Sequence, residues 1–250
     1  MANREISTNS VKVPNGSLEI EAYLAMPTSG GSLPAIIVLQ EIFGVNSHIR
    51  DVTQRLAKEG YIAIAPALFQ RIAPGFETGY TAEDVKIGKD YKDKTKAEEL
   101  ISDIQATINY LISQTPTKIN AIGCIGFCFG GHVAYLAATL PEIQATASFY
   151  GAGITTMTPG GGEPTINRTK ELAGRTIYAF FGMEDASIPA KEVDKIEAAL
   201  ERNQVLNRIF RYEGADHGFF CDQRASYNEA AAADAWNQVK QLFRQELQMT

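Results

Sequence analysis

A chain of 250 residues, 45% of them hydrophobic, has the size of one large α/β domain, and no linker divides it. A formal charge of −6 and three scattered histidines exclude the clustered basic face that nucleic acid would need. No apolar run reaches membrane-spanning length, the first ten residues lack the apolar core of a signal peptide, and residues 1–10 read as a loose tail.

Cys124, Cys128 and Cys221 are an odd set without disulfide-framework spacing, as expected of reduced thiols in a cytoplasmic protein. Cys124 and Cys128 lack the two further neighbours a metal pair would need, so neither a metal nor a cofactor is expected.

In chain order, residues 11–13 and 18–26 alternate apolar and polar side chains around Asn15-Gly16, which predicts an antiparallel hairpin. The continuous apolar run at 35–39 predicts a strand buried on both faces, followed by the loop Gln40-Glu41-Ile42-Phe43-Gly44. A helix is expected over 47–59, stopped by Gly60, and another buried strand over 61–65, ended by Pro66. Residues 67–82 are irregular and rich in glycine and aromatics, which suits either a substrate wall or surface filler. Thr81 and Asp84 have capping-box spacing, 94–112 has helical periodicity, and the charge-dense stretch 86–96 reads as a solvated face.

Residues 121–127 form a further apolar strand, and within it begins Gly126-Phe127-Cys128-Phe129-Gly130, the nucleophile-elbow pattern with cysteine in the serine position. A nucleophile at a sharp strand-to-helix turn occupies strained backbone, and the flanking glycines relieve clashes there. The helix that follows places its positive end at the sulfur and aims backbone N–H groups at a developing oxyanion. A merely buried cysteine in a glycine-rich turn is the competing reading.

Strands are then expected at 145–150, 176–181 and 208–212, with helices at 190–201 and 228–247. The glycine-rich loop 152–170 reads as a flexible insertion, having no P-loop lysine or helix start in frame. Strands alternating with helices predict an α/β fold with a mostly parallel central sheet covered on both faces.

Cys128, Asp185 and His217 each follow a predicted strand, at the sheet edge where active sites gather, in the order nucleophile, acid, histidine. The chemistry assigns them complementary tasks. Cysteine attacks an acyl carbon, histidine moves protons near neutral pH, and aspartate fixes the imidazole tautomer and stabilises its cation. His132, without an acidic partner in its motif, reads as a packing residue. His48 reads as a surface residue, and Cys221 as a buried thiol close to the pocket.

The segments Gln40-Glu41-Ile42-Phe43-Gly44-Val45-Asn46, Ala73-Pro74-Gly75, the elbow through Gly131, Gly182-Met183-Glu184-Asp185 and Asp216-His217-Gly218-Phe219 together resemble the dienelactone hydrolase family. This is the cysteine branch of the α/β-hydrolase fold. The resemblance implies a Cys128–His217–Asp185 triad and an oxyanion hole made by the backbone N–H groups of Ile42 and Phe129. It also implies that the Glu41 carboxylate hydrogen-bonds the resting thiol and is displaced by substrate.

The family's dienelactone-cleaving members hold the substrate carboxylate with arginines. Here the segment 76–91 has no arginine, and the position four residues after the histidine is Cys221. Arg71 and Arg224 lie near the two gaps as candidate replacements, and Tyr91, Tyr150 and Phe220 are candidate substrate walls. The expected activity is hydrolysis of small esters or lactones through a cysteinyl acyl-enzyme. The alternative is a catalytically silent scaffold that binds a ligand or senses oxidants through Cys128.

Overall fold

The computed structural model describes residues 4–248. Its centre is one eight-stranded sheet formed by β1 (Ile6–Asn15), β2 (Leu18–Pro27), β3 (Leu33–Leu39), β4 (Ile62–Pro66), β5 (Thr117–Phe127), β6 (Ile143–Phe149), β7 (Thr176–Gly182) and β8 (Leu206–Tyr212). The spatial order is β1-β2-β4-β3-β5-β6-β7-β8. β1 and β2 form the antiparallel hairpin, β2 runs antiparallel to β4, and every later pairing is parallel.

The helices are α1 (Ser47–Lys58), α2 (Ala82–Lys92), α3 (Ala97–Gln114), α4 (Phe129–Ala137), α5 (Ala190–Arg202) and α6 (Glu229–Phe243). Alternation along β3 shows how they cover the sheet. Ile36 and Val38 pack into one core with Ile49, Val52 and Leu56 of α1 and Val239, Leu242 and Phe243 of α6. Ile37 and Leu39 pack into the other with Leu100, Ile104 and Ile108 of α3 and Val133, Ala134 and Ala137 of α4. A strand with both faces buried must be apolar at every position, which is why β3 reads as an uninterrupted apolar run.

Three expectations are corrected by this arrangement. The N-terminal tail is ordered strand from Ile6, because Ile6 through Asn15 pair with β2 in continuous register; residues 1–3 lie outside the described residues. The 152–170 loop is not a loose insertion. It contains a 3-10 turn, Thr165–Leu172, whose Thr165, Thr169 and Leu172 are buried. His48 is buried rather than on the surface, its ring set edge-on against Phe127 and Phe220.

Candidate active site

The turn after β5 places Cys128 at φ 54° and ψ −116°, a conformation that costs a non-glycine residue about 1–3 kcal/mol. The strain is held by its surroundings. Cys128 N–H donates to Phe149 O at 3.0 Å, and its carbonyl accepts from the N–H groups of Gly131 and His132 at 2.9 and 3.2 Å. The glycines of the motif are required by close approach: a Cβ on Gly126 would fall within the Gly130 carbonyl, and one on Gly130 against the carbonyls of Leu39 and Gln40. Gly126→Ala is therefore expected to lower the melting temperature by more than 10 °C or to yield insoluble protein. A thermal melt matching wild type would contradict this packing.

Asp185 follows β7 and His217 follows β8, so both arrive at the same sheet edge as Cys128. His217 Nε2 lies 3.1 Å from Cys128 Sγ, and its Nδ1 lies 2.6 Å from Asp185 Oδ2. Asp185 is buried, and its other oxygen accepts from Ser187 N–H at 2.8 Å, which fixes the carboxylate plane. The neighbouring Glu184 is exposed, so the buried acid of the pair is the one that meets the histidine.

Burial opposes charge on His217. It is outweighed by the charge and hydrogen bond of Cys128 and by the hydrogen bond and charge of Asp185, and the histidine is pushed up to about 10. Ring-nitrogen NMR should thus find His217 protonated at neutral pH in the wild type, and titrating lower in Cys128→Ala, where the raising sulfur is gone. A wild-type midpoint near the ordinary histidine value would contradict the pairing.

Beside Cys128 the backbone N–H groups of Ile42 and Phe129 donate to no acceptor among the described residues. A cleft of about 360 Å³ opens in front of them, lined by Ile42, Phe43, Val85, Phe129, Met157 and Pro159 together with Cys128, His217, His132, Lys89, Lys92 and Arg224.

Several sequence expectations change here. Glu41 does not hydrogen-bond the thiol; its Oε1 pairs with Arg224 at 2.9 Å, and Cys128 instead faces His217. Arg71 does not reach the cleft, because both arms of its guanidinium bind Asp103 of α3, at 3.0 and 2.7 Å. Tyr91 packs edge-on against Phe69 and Phe76, outside the cleft lining. Tyr150 is fully buried behind the histidine ring, with centroids 5.2 Å apart, and Phe220 lies beneath Phe127. Neither lines the cleft.

Arg224 does line it. Gly218, at φ 80°, has no side chain where the Arg224 guanidinium lies, so the residue after His217 makes room for the arginine. Lys89 and Lys92 are not part of a purely solvated face; the cleft-side surface of α2 carries both. Their i,i+3 spacing was the available signal, since it puts two cations on one helical stripe.

His132 is held by Ala152 O and the Thr165 hydroxyl, at 2.9 and 2.7 Å, and burial lowers it to about 4. It is a neutral strut between α4 and the 152–165 loop.

Arg71 offers a check on these placements. Replacing it with Met leaves the buried Asp103 with Asn15 as its side-chain donor, at 2.7 Å. The expected loss is about 1.5–3 kcal/mol of stability, that of hydrogen bonds to a charged group, with KM unchanged. A raised KM with an unchanged denaturation midpoint would put Arg71 back at the site.

The dienelactone hydrolase family model matches residues 20–247. The chain belongs to the dienelactone hydrolase family. It is accordingly a hydrolase of lactones or esters with the α/β-hydrolase fold. A provisionally assigned carboxymethylenebutenolidase of Synechocystis is 58% identical over 243 residues, covering 97% of this chain and 98% of that one. A Bradyrhizobium protein provisionally assigned as a 2-oxo-3-(5-oxofuran-2-ylidene)propanoate lactonase is 31% identical, over 95% of this chain and 94% of its own length. Among solved structures, a provisionally assigned dienelactone hydrolase from Klebsiella pneumoniae superposes with a TM-score of 0.88 at 31% identity. That alignment covers 97% of this chain and 100% of the other. Among the described residues no helix is long and apolar enough to cross a membrane.

Proposed function

We propose that this hydrolase cleaves small lactones or esters bearing a carboxylate, through an acyl-enzyme on Cys128. The observation that carries the reading is the continuous Cys128–His217–Asp185 hydrogen-bond chain at the floor of a cleft, beside two N–H groups without acceptors.

The Cys128 sulfur, as thiolate opposite the His217 imidazolium, attacks the acyl carbon, and the carbonyl electron pair moves onto oxygen. The N–H groups of Ile42 and Phe129 stabilise that oxyanion. On collapse the C–O bond breaks and His217 Nε2 protonates the departing alkoxide, which in a lactone remains tethered as the acyl chain's hydroxyl. Water then attacks the thioester while His217 takes its proton, and the thiolate leaves. Asp185 keeps Nδ1 protonated throughout and orients the ring.

The carboxylate preference rests on Arg224 and on Lys89 and Lys92, three cations on an otherwise largely apolar lining. A guanidinium binds a carboxylate through two parallel N–H groups, and the Arg224 side chain, with 19% of its surface exposed, is the most enclosed of the three to do so. Arg224 is engaged by Glu41 in the resting site. A substrate carboxylate competes for that guanidinium and frees the buried Glu41 side chain, which couples binding to the environment of the sulfur. Matched pairs of lactones and aryl esters, with and without a free carboxylate, test this reading. The expected result is a kcat/KM at least tenfold higher for the carboxylated member of each pair. Equal values would remove the carboxylate from the proposal, and absence of turnover on every member would favour a ligand-binding or oxidant-sensing role for Cys128.

A further inference from the structure

Under the cleft floor, Glu41, His48 and Cys221 come together from three separate parts of the chain: the loop after β3, the first turn of α1, and the segment beyond β8. One potential donor atom from each lies within 4.8 Å of the other two. All three residues are shut away from solvent, with 1%, 2% and 0% of their surface exposed. Two of their polar atoms are unsatisfied. Glu41 Oε2 and His48 Nε2 have no hydrogen-bond partner among the described residues, whereas the Cys221 sulfur contacts the Tyr80 hydroxyl at 3.3 Å and the backbone N–H of Gln223.

A buried polar atom without a partner costs about 1–3 kcal/mol, and two within one cluster point to an occupant that would satisfy both. We propose that Glu41, His48 and Cys221 form a site for a single zinc-class divalent cation directly beneath the catalytic cleft, and that its occupation slows turnover by fixing Glu41.

The donor set selects the ion. One carboxylate oxygen, one imidazole nitrogen and one thiolate sulfur match the mixed ligands of borderline-soft zinc and do not suit magnesium or calcium, which take oxygen alone. Tetrahedral zinc holds its donors about 3.5 Å apart, so the cluster closes with side-chain movements of about 1 Å. The Tyr80 hydroxyl, 3.3 Å from the Cys221 sulfur, borders the fourth position. On binding, the Cys221 thiol releases its proton to solvent, so thiolate and carboxylate offset the divalent charge within the ligand set, and the assembly with Arg224 is left with one positive charge. Arg224 can keep Glu41 Oε1, because the unpartnered oxygen is Oε2. Burial lowers His48, so its imidazole is neutral and carries a free lone pair.

The metal-binding half of this inference is independent of the proposed function, and the inhibitory half rests on it. The test begins with cobalt(II) as a spectroscopic stand-in, added to the full-length protein. One equivalent should give a thiolate-to-cobalt charge-transfer band in wild type and in Cys128→Ala, and the band should be absent in Cys221→Ala. His48→Gln is expected to weaken cobalt binding at least tenfold, and thermal melts of both site variants report whether each is folded. A band that survives Cys221→Ala and disappears in Cys128→Ala would assign the ion to the catalytic cysteine and overturn the site. So would the absence of any band in the wild type.

Turnover in the presence of equimolar zinc reads the second half. The expected result is at least tenfold inhibition of wild type, with Cys221→Ala retaining its activity. Equal inhibition of both proteins would overturn the regulatory claim even if the cobalt band is present.

Discussion

Cys128→Ala and His217→Ala are each expected to abolish measurable turnover, and Asp185→Asn to lower kcat by about 10⁴-fold. The size of the third effect follows from tautomer control. Asp185 accepts from His217 Nδ1 at 2.6 Å and also from Ser187 N–H, so an amide in its place either loses the first contact or reverses it. A serine protease loses about that factor when its orienting aspartate becomes asparagine. Removing the sulfur or the imidazole leaves only the oxyanion donors and substrate binding. Such losses are not additive, so Cys128→Ala combined with Asp185→Asn should be no worse than Cys128→Ala alone. Circular dichroism and thermal melts of each variant separate loss of chemistry from loss of fold. Near-normal kcat in Asp185→Asn would show that another group orients the histidine.

Arg224→Met is expected to lower kcat/KM for a carboxylated lactone by about 10²-fold or more, because a hydrogen bond to a charged group contributes about 1.5–3 kcal/mol and Arg224 offers two. Neutral aryl esters should lose less than tenfold. The variant also strands Glu41, whose carboxylate is buried and whose Oε2 already lacks a partner. Leaving a buried charge unpaired costs about 3–5 kcal/mol, so a drop in stability is expected alongside. Glu41→Gln combined with Arg224→Met removes that charge. It should recover much of the stability without recovering the preference for carboxylated substrates. If the double variant regained the preference, the arginine would be acting on Glu41 alone and not on the substrate.

What was legible in the sequence follows from how local the cause is. The elbow could be read because its residues are contiguous and Gly126 answers to Gly130 four residues on, although Gly130 itself answers to the distant Leu39 and Gln40, and the order of strand ends put three reactive groups on one edge. The Glu41–Arg224 pair joins positions 183 residues apart, so only the folded chain shows which arginine fills the vacancy and which does not. In the sequence Arg71 and Arg224 are equal candidates; in the fold Asp103 holds Arg71. The order of the tail is not legible because Thr8, Asn9 and Ser10 are exposed on an edge strand, where the neighbouring strand's backbone rather than side-chain burial supplies the order. Lys89 and Lys92 look like any charged helix surface until the 152–165 loop closes over the opposite wall of the cleft. His48 has the spacing of a first-turn surface residue, yet the loop carrying Phe220 and Cys221 covers it.

The central claim is that Cys128 carries the acyl group. The most direct measurement is rapid acid quenching of the enzyme with a slowly hydrolysed aryl ester, followed by peptide mass spectrometry. The account predicts an acyl adduct on the peptide containing Cys128. The adduct should form with the burst of released phenol, decay at the rate of steady turnover, and be absent in Cys128→Ala. Full turnover with no adduct at Cys128, or an adduct at Cys221 or a serine that decays at the catalytic rate, would contradict it.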